Sequence, residues 1–343
     1  MISLAKWRDR IKSLLWFLVK IGVAGSLLWW MIDAGKVDFR QLRIYIDHPE
    51  VLTLYIGIWF FNVILVQSAR WKSLLWGLGI NIRWSRIVQF QFVGIFFNTA
   101  IPGAVGGDVV KAVYIVRDQQ SGRKTAAAMS ILMDRITGLF GLFTIGAVAV
   151  SFQFQQLWHS PLLRPLVIAT YGMVAGMLFF FIVVFVRIED EHDPFLRLLS
   201  FRVPGFAFLK KVYVSLRSYR HRPSAIIFSW AVSVVLQCCF FYLFLVLTWR
   251  LTNQHFSIAV WGAVFALGSL TTALPIAPGG LGVGHAVFDK LFELVGLTGG
   301  ANVFNVYCLS MLALSLSGAV PYLFVKSKLP SKDETRELAK ALD

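Results

Sequence analysis

"FFNTAIPGAVGGDVVKAVY" (residues 96–114) and "TTALPIAPGGLGVGHAVF" (residues 271–288) decide how this chain is organised. Over ten positions, 98–107 and 271–280, they share six identities without a gap. Each ends an apolar run at proline and glycine. Proline removes a backbone donor and glycine permits a tight bend, so both runs break where the phrase begins. Around them the 343 residues are 57% hydrophobic and only 15% charged, which describes a helical membrane protein. Apolar runs of spanning length fall near 14–32, 51–69, 126–150, 162–186, 225–248 and 302–325. The first is read as a retained span: basic residues precede it and no small-x-small cleavage site follows. Two shorter runs, near 87–101 and 258–274, carry the repeated phrases.

The formal charge of +15 is spread between apolar runs, which excludes a nucleic-acid surface and points to topology and anionic lipid. Basic residues concentrate in the N-terminus, in 70–86, in 187–224 with eight Lys or Arg, and in the tail from 326 with five. These segments are expected in the cytoplasm, and Trp pairs such as Trp29–Trp30 at the interface. Residues 108–125 are basic as well, through Lys111, Arg117, Arg123 and Lys124. They share the side of 70–86 only if the run at 87–101 enters, turns and returns. The expected architecture is therefore all-α, with six full transmembrane helices and two re-entrant hairpins entering from opposite faces. An eight-crossing chain, with 108–125 external, is the alternative. Halves of about 51–160 and 225–325 form an inverted repeat within a single transmembrane domain, with no soluble domain. Broken helices in inverted repeats commonly meet at the midplane and build the substrate site there.

The first phrase offers an anion site. Gly106 and Gly107 precede a helix whose N–H groups and dipole attract phosphate, Asp108 stands at the expected N-cap, and Lys111 follows one turn on. Asp108 competes for the same amides, and an i, i+3 pair with Lys111 is the structural alternative. Asp134 and Arg135 lie deep in an apolar run, where charges are costly and face partners or cavities. Arg135 is the candidate for an anionic headgroup, Asp134 for a pair with Arg70, and a purely structural ion pair is the alternative. In the second phrase His285 either senses phosphate or a proton, or is a satisfied core histidine. Cys238, Cys239 and Cys308 have no metal spacing. No nucleophile triad, Walker loop or dinucleotide fingerprint is present in the sequence, so neither catalysis nor a cofactor is expected.

Together "ARWKSLL", the two phrases and "AAAMSILMDRITGL" resemble the lysylphosphatidylglycerol synthase transmembrane, or flippase-like, family. It includes the membrane half of the MprF proteins, which translocate aminoacylated phospholipids. The resemblance maps its motif onto Arg70, Asn98, Pro102, Gly106, Gly107, Asp108, Arg135, Pro275, Pro278, Gly279, Gly280 and Gly282. Lys111 stands where the family commonly has Arg, and His285 where it commonly has Glu. The second departure removes a carboxylate that would suit a cationic headgroup. No aminoacyltransferase domain lies in these residues, so lysyl-lipid synthesis by this chain alone is not expected. The resemblance implies flipping of an anionic or phosphate-bearing lipid, a phospholipid or polyprenyl phosphate, across a bacterial inner membrane with both termini cytoplasmic. A homo-oligomer is compatible with the sequence. A non-transporting partner of an envelope-synthesis complex and a lipid-modifying enzyme using Asp108 or His285 remain the alternatives.

Overall fold

The computed structural model describes residues 39–100, 106–119, 123–161, 163–186, 193, 196–197, 206–254, 257–273 and 283–324. The expected first span (14–32), the tail from 326, Pro102 and Pro275 to Gly282 lie outside the described residues. A short lead-in, Phe39–Arg43 and Ile44–Asp47, precedes α1 (Pro49–Gly77). Then follow α2 (Trp84–Ala100), α3 (Gly106–Arg117), α4 (Lys124–Phe152), α5 (Phe154–His159) and α6 (Arg164–Phe185). The remainder is α7 (Phe206–Arg217), α8 (Pro223–Thr252), α9 (Ile258–Ala273), α10 (Val283–Leu294) and α11 (Gly300–Tyr322). No strand occurs among the described residues. Among the described residues five helices are long and apolar enough to cross a bilayer, α1, α4, α6, α8 and α11. They match the five sequence runs from 51–69 onward.

Polar contacts between connections define two ends of the bundle. At one end Arg123 donates to the Gly79 carbonyl at 3.0 Å, Arg222 to the Trp76 carbonyl at 2.7 Å, and Arg86 pairs with Asp118 at 3.2 Å. At the other, Arg250 pairs with Glu50 at 3.2 Å, Gln41 bonds Asn302 at 2.7 Å, and Gln254 bonds Thr298 at 2.8 Å. The first end is rich in arginine and is called the basic end; the second is the far end.

Helix directions follow. The pair α2 and α3 is antiparallel along its length: Arg86 meets Asp118, Phe90 stacks on Tyr114 at 5.7 Å, and Asn98 meets Gly107 at 2.8 Å. Residues 118 and 119 therefore return to the basic end, beside 78–83. The pair α9 and α10 is antiparallel too, through Trp261 on Phe292 at 4.9 Å and Gln254 on Thr298, and both its ends lie at the far end. At 1.5 Å per residue, α3 and α10, 12 residues each, reach only about 18 Å, short of a bilayer core.

Helices α4 and α8 run parallel from the basic end. Ser229 donates to Thr137 at 2.9 Å, and a Cβ on Gly141 would lie 2.6 Å from that of Ser233. Such small-residue seams let backbones approach closely, since lipid tails offer no hydrophobic gain for helix association. The same order thus occurs twice in opposite directions: span, short pair, span in α1–α4, and again in α8–α11. The first pair opens at the basic end and the second at the far end.

Halfway along, α1 winds as a π-helix over Asn62–Gln67, where the Ser68 hydroxyl donates to the Val63 carbonyl at 2.9 Å. The Gln67 carbonyl accepts instead from the Gln91 side chain on α2, at 3.1 Å.

Candidate functional site

Charged side chains at membrane depth must find partners, and here they find one another. Arg70 on α1 makes a bidentate pair with Asp134 on α4, Nε to Oδ1 at 2.7 Å and Nη2 to Oδ2 at 3.0 Å, and both residues are buried. Gly138, one turn beyond Asp134, leaves the room: a Cβ there would sit 3.0 Å from Arg70 Nη1. Arg135, the next residue on α4, pairs instead with Asp108 on α3. Lys111 lies between the carboxylates, 3.7 Å from Asp108 and 3.9 Å from Asp134. Its Nζ donates to Gln91 at 3.2 Å and sits 5.1 Å from the Trp71 ring centre. Trp71 is in turn held by Ser130 at 3.0 Å.

The sequence-level candidates Arg70, Asp108, Lys111, Asp134 and Arg135 therefore form one cluster, with the Arg70–Asp134 pair that the sequence suggested and the Asp108–Lys111 pair that it offered as the structural alternative. Asp108 is not the N-cap. The helix begins at Gly106, and Asp108 falls in its first turn. The capping oxygen comes from Asn98, nine residues upstream, which accepts from the Gly107 N–H at 2.8 Å. A Cβ on Gly107 would overlap the Gly94 carbonyl, so glycine is what brings α3 against α2 at this point. That amide is consequently engaged within the protein. Lys111 is 6% exposed and organises the cluster rather than facing open space.

Beside the cluster lies a cavity of about 350 Å³. Arg70, Asp134 and Arg135 line one side, and Arg135 keeps 39% of its side chain exposed. Phe240, Phe265, Phe288, Phe304 and Tyr307 line the other, with Gln237 and Ser269 as neutral polar groups. These residues come from α1, α4, α8, α9, α10 and α11, so both span–pair–span units contribute. That volume is near the lower end of ligand pockets, about 300–1,000 Å³.

His285 Nε2 lies 3.4 Å from Asn305 Oδ1, and its ring meets Phe304 edge-on at 5.0 Å. Pro275, Gly279 and Gly280 lie outside the described residues. Sequence reasoning missed Gln91, whose signal was an amide inside the apolar run 87–101, and Trp71, beside Arg70. It also missed the aromatic wall, which no residue type distinguished from lipid-facing positions.

The profile of a family described as "Lysylphosphatidylglycerol synthase TM region" matches residues 17–321. A UPF0104 membrane protein of Pyrococcus horikoshii is 30% identical over 127 residues, 37% of this chain. The aligned part spans 36% of that relative, about a third of its length. No solved structure matches.

Proposed function

This chain belongs to the lysylphosphatidylglycerol synthase TM region family, and from that premise we propose that it moves a phosphate-bearing, anionic lipid between membrane leaflets. The carrying observation is the cavity, charged on one side, aromatic on the other, and lined by two units of opposed direction. In this reading the units are inverted repeats, about 51–160 and 225–325. The two short helix pairs are re-entrant, and six spans complete the fold. The basic end faces the cytoplasm of a bacterial inner membrane, as the excess of Lys and Arg there favours.

A lipid phosphate enters beside Arg135, whose guanidinium exchanges the Asp108 carboxylate for the incoming oxygens. Arginine suits such bidentate anion binding. Asp108 keeps Lys111 as partner, 3.7 Å away, so exchange leaves no buried carboxylate unpaired. Losing the Arg135 contact uncouples the start of α3 from α4 and lets one unit rock against the other, changing which leaflet the cavity serves. The chains stay in the bilayer throughout.

The test is a dithionite protection assay on proteoliposomes carrying acyl-labelled lipids. Wild type is expected to expose inner-leaflet label faster than empty vesicles, and Arg135→Ala to lose most of that gain. Equal rates with and without protein for every anionic lipid would refute transport. A chemically altered lipid would turn the reading toward an enzyme.

A further inference from the structure

The charges beside the cavity do not cancel. Arg70, Lys111 and Arg135 face Asp108 and Asp134, three cations against two carboxylates, leaving +1 among the described residues. Each carboxylate already has two cationic partners. The polar wall residues Gln237 and Ser269 are neutral. The stretches 99–105 and 274–282, which join the helices of each pair, contain no Asp or Glu. On the aromatic side Phe288 and Phe304 stack on each other at 5.0 Å, which takes up one face of each ring.

We infer that the cavity selects a phosphodiester headgroup with one net negative charge and neutral hydroxyls, and discriminates against amine-bearing headgroups. The aminoacylated lipid in the family's name belongs to the disfavoured class. A phosphatidylglycerol headgroup brings a single negative charge, neutralises the site, and offers hydroxyls to Gln237 and Ser269. A lysyl ester adds two ammonium groups, largely protonated at neutral pH. Such a headgroup would bring net positive charge to a positive site, with both carboxylates already taken. Phosphatidylethanolamine leaves the site charge uncompensated. Charges in a desolvated site are costly unless balanced, so this mismatch sets the preference. The inference rests on the proposed transport site for its location and not on transport itself.

Native mass spectrometry of the full chain, titrated with equimolar short-chain phosphatidylglycerol, lysylphosphatidylglycerol and phosphatidylethanolamine, reads selectivity directly. Phosphatidylglycerol is expected to dominate by about tenfold or more, as like-charge juxtaposition predicts. Gln237→Glu brings the described charge to zero and should pull phosphatidylethanolamine toward parity. Ser269→Asp makes the same change from another helix, should Gln237→Glu fail to fold. Equal binding of the three lipids, a preference for the lysyl lipid, or wild-type selectivity in both acidic variants would overturn the inference. Displacement of the lipid by an equal concentration of water-soluble glycerophosphoglycerol would show that chains do not matter and overturn the lipid assignment. Phosphatidylglycerol selectivity without flipping would uphold the inference while removing the transport reading.

Discussion

Removing the Arg70 guanidinium tests the charge cluster most directly. Arg70→Met keeps most of the stem volume and leaves Asp134, 4% exposed, without its bidentate partner. Breaking a buried pair from one side costs about 3–5 kcal/mol, because a charge is stranded. Here Lys111 remains 3.9 Å from Asp134 and softens the loss, so the expected cost is near the lower figure, about 3 kcal/mol. Asp134→Leu strands Arg70 and should cost a similar amount. In Arg70→Met/Asp134→Leu no charge of this pair is left, and apolar replacements of buried pairs are often close to neutral. The double variant is therefore expected to be no worse than either single one, a coupling of about 3 kcal/mol. Reversible unfolding in mixed micelles with increasing dodecyl sulfate, followed by tryptophan fluorescence, measures all four proteins. Additive losses, with the double variant roughly twice as damaged as either single, would refute the pair as an energetic unit.

Four further outcomes follow from the structure. Gly107→Ala should destabilise by about 1–3 kcal/mol, since its Cβ meets the Gly94 carbonyl. Gly172→Ala, with nothing within 4 Å of the new Cβ, should instead gain about 0.5–1 kcal/mol in the same unfolding assay. Gln91→Leu removes the acceptor of Lys111 and the donor to the Gln67 carbonyl, so a loss of about 1–3 kcal/mol is expected, and a shift below 0.5 kcal/mol would contradict it. In a background lacking Cys238, Cys239 and Cys308, an impermeant maleimide should reach Ser85→Cys and Gln119→Cys from one face of the membrane and Thr298→Cys from the other. Labelling of positions 85 and 119 from opposite faces would contradict the antiparallel course of α2 and α3.

Five of the expected spans and the charge cluster were legible because both rest on contrasts that composition records. A carboxylate at 134 or a lysine at 111 inside apolar sequence has few places to go, and Arg70 was identifiable as a partner by the same rule. The start of α3 was not legible. Its cap is Asn98, and that bond exists only because α2 and α3 lie antiparallel in a register that sets position 98 against 107. Local rules favoured Asp108, the nearer oxygen. The aromatic wall was hidden for another reason: α8 carries phenylalanines on both its inner and outer faces, so Phe240 at the cavity and the exposed Phe228 look alike in the sequence. Gln91 offered a polar signal, but its two partners, a carbonyl of α1 and an ammonium of α3, lie on different helices.

The π-helical stretch of α1 acts as a phase setting between its two halves. Above it, Tyr55 holds the Tyr307 carbonyl at 3.1 Å; below it, Arg70 holds Asp134. A π turn bonds i to i+5 and so accommodates a residue that a regular helix would not. Deleting one residue between 62 and 67 removes the one that the wide turn takes up, so the regular helix that results keeps the phase of its two halves, and Tyr55 and Arg70 both keep their partners. A second deletion, with no wide turn left to absorb it, would turn one half against the other by about 100°, the angular step of one residue. The stretch thus holds one residue of slack, and chain length here can shorten by one without moving either anchor.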